Sequence, residues 1–171
     1  MNGTLFETGR LVVREFRPAD LDDFAALCAD PEVMRYVGDR TPLDRAGVAY
    51  WIEVCQGKYR DRGYGTSAVF EKATGDFIGY CGVVRAPDRD FDELIYVFTK
   101  SSWGNGYATE VGRAMLDHVF RISELAEIRA TIDAANADSI RVARKLGMTF
   151  AKRVDEDGTE VDHYVLRREG V

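Results

Sequence analysis

The spacing of apolar residues changes abruptly around one stretch, "WGNGYATE", residues 103–110. Before it, "ELIYVFT" has the β-branched and aromatic content of a strand; after it, Ala108, Val111, Met115 and Val119 recur at helical spacing. The chain must therefore pass from a strand, through a turn bearing two glycines, directly into an amphipathic helix. At such a junction the first helical turn presents main-chain N–H groups with no internal partner, at the positive end of the helix dipole. Gly104 and Gly106 tolerate unusual φ values and let a ligand approach the backbone. The stretch reads either as an anion site or as a simple tight turn into a helix.

Two familiar phosphate loops can be set aside. A dinucleotide fingerprint counted from Gly104 would need glycine at residue 109, which is Thr109, and no early βαβ unit precedes it. A Walker loop would need Gly-Lys-Ser or Gly-Lys-Thr, which does not follow.

The flanking segments suggest a mixed architecture. "RLVVREF", residues 10–16, reads as a strand, and Pro18 then suits the first turn of a helix carrying Leu21, Phe24, Ala25 and Leu27. That helix breaks at Pro31 before another short helical turn. A longer helix is expected from about Leu43 to Tyr59, with Ala46, Tyr50, Trp51, Val54 and Cys55 on its apolar side, ended by "RDRGYG". "YGTSAVFE" and "FIGYCGVV" around "KATGD" form a hairpin, and a loop at "RAPDRDFD" leads to "ELIYVFT". "EIRATID" is a further strand, residues 137–146 a further helix closed by Gly147, and "MTFAKRV" with "EVDHYVLRR" a last hairpin around "DEDG".

Composition narrows the function classes. A chain of 171 residues with 46% hydrophobic content suits one domain, spanning residues 1–171. Its net charge of -6 disfavours general binding of nucleic-acid phosphates and weakly suits a cationic substrate. Cys28, Cys55 and Cys81 lie in apolar stretches without a C-x-x-C pair, and His118 and His163 are too far apart in sequence to suggest a zinc site. No apolar run approaches the ~18 residues of a membrane span and no signal peptide shows, so a reduced cytoplasmic protein without membrane contact is expected.

The order and spacing of several motifs together resemble the GNAT superfamily of acetyl-coenzyme A dependent N-acetyltransferases. The likeness is greatest to the branch named for enzymes that acetylate ribosomal-protein amino termini, and it covers nearly the whole chain. "FETGRLVVREFRPADLDDF" with "DPEVMRYV" is similar to the branch's start, "TGDFIGYCGV" to its central hairpin, "WGNGYATE" to its pyrophosphate loop, and "NADSIRVARKLGMTF" to its penultimate helix and following strand. The resemblance implies a single α/β (α+β) domain. Its central sheet would be mixed and mostly antiparallel, of about six or seven strands, flanked by helices and splayed at the cofactor site.

The resemblance also implies site residues. Main-chain groups of Gly104, Asn105, Gly106, Tyr107, Ala108 and Thr109 would hold the coenzyme diphosphate, although Trp103 departs from the superfamily's general loop pattern while matching this branch. Val97, Phe98 and Thr99 would run beside the pantetheine arm, where a backbone N–H polarises the thioester carbonyl. Asn136 would contact the cofactor and Ser139 would lie near its sulfur, and Asn136 also suits a helix N-cap. Arg141 and Lys145 either reach the 3′-phosphate or form a solvated helix face. Where many relatives carry a tyrosine general acid, this chain has Ala143, which leaves Ser139, a water or direct release of the thiolate to complete the reaction.

Amide formation needs a free amine at the thioester and a destination for its proton. Glu93 matches the position of a strand-borne glutamate base in several family members, the alternative being an ordinary surface charge; alternation places it with Ile95 and Val97. The expected partners are acetyl-CoA and an amine acceptor, favoured to be a protein or peptide α-amine. A small-molecule amine (aminoglycoside, polyamine or amino-acid-like) and a non-catalytic coenzyme-binding module are the rivals. Family members often form homodimers, and no interface is legible in the sequence.

Overall fold

The computed structural model describes residues 3–169. Eight strands form one sheet in the order β1-β2-β3-β4-β5-β6-β8-β7. They are β1 (Thr4–Glu7), β2 (Leu11–Glu15), β3 (Thr66–Glu71), β4 (Phe77–Val84), β5 (Glu93–Phe98), β6 (Glu127–Asp133), β7 (Thr149–Glu156) and β8 (Thr159–Arg167). Every neighbouring pair is antiparallel except β5 and β6. The expected mixed, mostly antiparallel sheet is therefore present, with one correction: among the described residues there are eight strands, where about six or seven were expected. The addition is β1, a four-residue edge strand with no fully buried residue.

Helices cover both faces. Against one pack α3 (Tyr107–Ile122) and α4 (Ala137–Lys145), where Val111, Met115, Leu116, Val119 and Ala143 join Leu94, Phe98 and Ile128 of the sheet. Against the other pack α1 (Leu21–Ala29) and α2 (Arg45–Arg62), around Phe16, Phe24, Ile52 and Tyr80, with Ile95 and Val97 beside them. Alternation along β5 thus sends Leu94, Tyr96 and Phe98 to the α3/α4 layer, and Glu93, Ile95 and Val97 to the α1/α2 side.

The α2 helix needs a second correction. Its buried residues are Val48, Ile52, Cys55 and Tyr59, while Tyr50 is 68% exposed and Ala46 is also exposed. The Asp44 carboxylate caps its first turn by accepting from Gly47 N–H, and Gly63 ends it in the left-handed region at φ 78°.

The feature that shapes the site is the parting of β5 from β6. The two strands share a single paired position, Glu93 with Arg129, pinned where Arg129 N–H donates to Asp92 O at 2.9 Å. From Leu94 onward β5 pairs only with β4. Gly79 on β4 makes that pairing close: a Cβ there would stand 2.1 Å from Val97 O. So β4 and β5 stay in contact while β5 and β6 diverge.

Candidate active site

A cleft of about 1470 Å³ follows this divergence from the start of α3 to the far end of β5. At one end is the glycine junction. Gly104 and Gly106 both have φ 77°, and Gly106 is the N-cap of α3 with no side-chain cap. The first intrahelical bond runs from Glu110 N–H to Gly106 O, so the amides of Tyr107, Ala108 and Thr109 precede the helix's own bonding. A Cβ on Gly104 would meet nothing within 4 Å, so this glycine answers to backbone conformation and open space rather than to packing. Trp103 Nε1 donates to Phe98 O at 3.0 Å and closes the turn from β5. These features suit a bound diphosphate: uncapped amides at the N-terminus of a 16-residue helix, with room in front of them.

Two hydrogen bonds fix the direction of the β5 main chain. Asp92 O faces β6, where it accepts from Arg129 N–H, and Thr99 N–H faces β4, where it donates to Ile78 O at 2.8 Å. Successive residues of a strand alternate in the side to which their main-chain groups point. The N–H groups of Tyr96 and Phe98 therefore open toward the gap, and those of Val97 and Thr99 are turned to β4. This refines the expectation for residues 97–99: Val97 and Phe98 line the cleft, but only Phe98 of the three can offer it an N–H. Thr99 lines a smaller depression beside α1 instead, and its hydroxyl is 2.7 Å from that of Ser102.

Gly104, Gly106, Tyr107, Ala108 and Thr109 line the cleft together with the α4 residues Ser139, Arg141 and Lys145 and the N-cap Asn136. The Asn105 side chain turns back to the carbonyls of Ser102 and Trp103 and braces the loop. Asn136 Oδ1 accepts from Ser139 N–H at 3.2 Å, so its capping role is real, and the bond holds Ser139 in the first turn of α4. Arg141 is ion-paired to Asp138, and both Arg141 and Lys145 are exposed. Ala143 is 2% exposed and belongs to the core, so that position brings no hydroxyl to the cleft.

At the other end Glu93 Oε2 accepts from the Thr131 hydroxyl at 2.5 Å, and both residues line the cleft. Phe24, Trp51 and Tyr80 wall the α1/α2 side of this end. Of the cleft's other carboxylates, Asp133 is paired with Arg40 and Glu156 with Arg89, both at 2.6 Å. His163 is buried with Nε2 3.3 Å from Glu156, while His118 is half-buried beside Phe6, where burial lowers its pKa.

Two cleft residues escaped the sequence reading. Thr131 hydrogen-bonds Glu93 across 38 positions of sequence, and Tyr96 lines the cleft together with Ser139 of α4. The alternation of β5 gives the face of Tyr96 but not its place in the cleft.

Residues 10–149 match the family model described as the acetyltransferase (GNAT) domain. The uncharacterised protein YkkB of Bacillus subtilis is 37% identical over 135 residues, which is 77% of this chain and 76% of that relative. The fold superposes on ribosomal-protein-S5-alanine acetyltransferase from Vibrio fischeri with a TM-score of 0.83 at 15% identity, covering 96% of this chain and 97% of that one. It also superposes on spermidine N-acetyltransferase from Vibrio cholerae, solved with CoA and spermine, with a TM-score of 0.75 at 16% identity, covering 92% and 95%.

Proposed function

Because the chain belongs to the GNAT acetyltransferase family and is an acetyl-CoA-dependent N-acetyltransferase, we propose that its acceptor is the α-amine of a peptide or protein and that acetyl passes directly to it. The observation that carries this reading is the continuity of the cleft from the uncapped amides of α3, along the unpaired side of β5, to Glu93.

Acetyl-CoA supplies the acyl group already activated as a thioester. The amides of residues 104–109 hold the diphosphate, each helix-end contact contributing about 0.3–1 kcal/mol, so several act together. Asn136 and Ser139 face the pantetheine end, and Arg141 and Lys145 stand where the 3′-phosphate would reach solvent. The gap-facing N–H groups of Tyr96 and Phe98 are the donors available to a carbonyl oxygen, a role in which one donor is worth about 2.7–4 kcal/mol. Glu93, oriented by Thr131, receives the proton of the attacking amine. No acyl-cysteine is needed: all three cysteines are buried, and burial pushes the Cys28 thiol up to about 11 and that of Cys55 to about 12.

Two considerations favour an α-amine. With pKa values near 7.7–8.0 against 10.4, about a tenth of α-amines are unprotonated at pH 7, but only a few in ten thousand lysine side chains. A single carboxylate then suffices as base. Second, the aromatic wall of Phe24, Trp51 and Tyr80 offers space for an apolar side chain beside the amine, and the nearby Asp133 and Glu156 are each paired with an arginine.

The test is a thiol-release assay with acetyl-CoA against peptides of varied amino termini, polyamines and aminoglycosides. Peptides with free amino termini should give the highest kcat/KM, and Glu93→Gln should lower kcat by about 100-fold or more while leaving CoA affinity intact. Preference for spermidine, an aminoglycoside or an internal lysine would overturn the acceptor assignment.

A further inference from the structure

No side chain caps α3 at Gly106, and the amides that follow are left open to the cleft. The helix end is held instead from the turn between β1 and β2, residues 8–10, none of which lines the cleft. Thr8 Oγ1 donates to Glu110 Oε1 at 2.6 Å and Arg10 N–H to the same oxygen at 3.0 Å, while Arg10 Nε and Nη2 lie 2.7 and 2.6 Å from Oε2. The same guanidinium covers the Tyr107 ring, 4.5 Å from its centre, and a Cβ on Gly106 would stand 3.7 Å from its Nη2. We propose that Arg10 is a positioning residue for the coenzyme: it neutralises Glu110, so that a carboxylate can brace the end of α3 without repelling the diphosphate bound there. The inference rests on the reading of that terminus as the diphosphate site.

Glu110 is the acidic residue of the first turn of α3. A carboxylate there suits the free helix, because it faces the positive end of the dipole, and here it also ties the helix to β1 and β2. Toward a second anion the same charge works the other way. The open amides of Tyr107, Ala108 and Thr109 lie within one helical turn of it, about 5.4 Å along the axis, and like charges that close repel. Burial would raise the Glu110 pKa, but the hydrogen bonds from Thr8 and Arg10 outweigh it and hold the carboxyl below its usual range, so the charge is present at neutral pH.

Cancellation falls to Arg10. Thr8 supplies a hydrogen bond without a charge, whereas the guanidinium meets the carboxylate with both. Its base is fixed: Arg10 O accepts from Lys72 N–H at 2.8 Å, and Thr8 Oγ1 accepts from Leu11 N–H at 3.0 Å. Of the neighbouring charged groups, Lys72 is paired with Glu7 at 2.8 Å, and Glu71 accepts from the Tyr107 hydroxyl at the far end of that ring.

The experiment uses the full chain, titrated with CoA by calorimetry, and compares two acetyl donors in turnover: acetyl-CoA, and S-acetylpantetheine, which has the thioester arm without the diphosphate. Arg10→Gln should weaken CoA binding about two- to thirtyfold, the range for one uncancelled charge at about 8 Å between the dielectric of water and that of a protein surface, and should lower kcat/KM for acetyl-CoA to match. With S-acetylpantetheine the same variant should change kcat/KM by less than about twofold. Glu110→Gln should bind CoA as tightly as wild type or more so, and added to Arg10→Gln it should recover most of the loss. Equal losses with the two donors would reduce Arg10 to a structural brace, and a double variant as weak as Arg10→Gln would mean that Arg10 meets the diphosphate itself; either result refutes the proposal. Should Arg10→Gln fail to fold, Glu110→Gln decides alone, and weaker CoA binding in that variant refutes the repulsion. A wild-type chain that uses both donors equally well, or does not bind CoA, would instead overturn the diphosphate reading of α3.

Discussion

Alanine and asparagine at residue 104 separate two reasons for a glycine. Gly104 sits at φ 77°, and a Cβ there would touch nothing within 4 Å. In the free protein Gly104→Ala therefore costs only backbone strain, about 1–2 kcal/mol for an L-residue in the left-handed region. The less flexible unfolded chain of the variant offsets about 0.4–1 kcal/mol of that. The net loss of about 1 kcal/mol corresponds to a fall of roughly 2–4 °C in Tm for a chain of this length. Gly104→Asn, whose side chain tolerates left-handed backbone, should recover most of that loss. Coenzyme affinity should behave differently. If the open space at residue 104 receives the diphosphate, either side chain displaces it from two or three amides, each worth about 0.3–1 kcal/mol. That weakens CoA binding by about 0.6–3 kcal/mol, roughly three- to 150-fold in Kd. Thermal unfolding and calorimetric titration with CoA read the two effects separately. An asparagine variant that binds CoA as tightly as wild type would refute close approach and reduce Gly104 to a turn residue.

The buried thiols should react with alkylating reagents only on unfolding, and a variant lacking Cys28, Cys55 and Cys81 should retain turnover once its fold is verified; isolation of an acyl-cysteine would contradict direct transfer. Asp92 is buried, accepting from Arg62, Tyr64 and Arg85 at 3.1, 3.0 and 2.5 Å. Asp92→Asn leaves these partners under-satisfied and should cost about 3 kcal/mol in denaturant unfolding; a loss below about 0.5 kcal/mol would show that the cluster holds nothing. Arg153, with Nε 2.6 Å from Oδ1, holds the Asp162 carboxyl below its usual range. A lowered folded pKa contributes stability above the unfolded value of about 3.9 that disappears as pH falls through the folded one. Arg153→Leu should therefore reduce the drop in Tm between about pH 5 and pH 2, and an unchanged acid limb would count against the pair.

The elements legible in the sequence were those whose burial follows a simple period. Val111, Met115 and Val119 are all fully buried, as their spacing required, and the glycine junction announced where α3 begins. The failures have local causes. Strand β1 shows no alternation to detect, because its four residues are all at least partly exposed. In α2, Tyr50 suggested an apolar face but projects into solvent, while the smaller Val48 and Ile52 carry the packing. Side-chain size is a poor guide where a partly exposed helix face also carries aromatics.

Within the cleft, the sequence could say which residues share a strand but not which neighbour each main-chain group meets. That Tyr96 and Phe98, not Val97 and Thr99, turn their N–H groups into the gap depends on Arg129 bonding to Asp92 and Thr99 bonding to Ile78, contacts between segments far apart in the chain. A one-residue slip of β5 against β4 would exchange the two sets of amides and send Glu93 to the other layer. The slip is opposed at both ends. The Asp92 cluster anchors the start of the strand, and the close passage of Gly79 by Val97 fixes its far half. Separation of Glu93 from Tyr96 is more robust, because residues three apart on a strand lie on opposite faces in any register. The placement of Glu93 toward α1 and α2 and of Tyr96 toward α3 and α4 is thus set by spacing within "ELIYVF", whereas which amides face the gap depends on how that strand is gripped by the rest of the sheet.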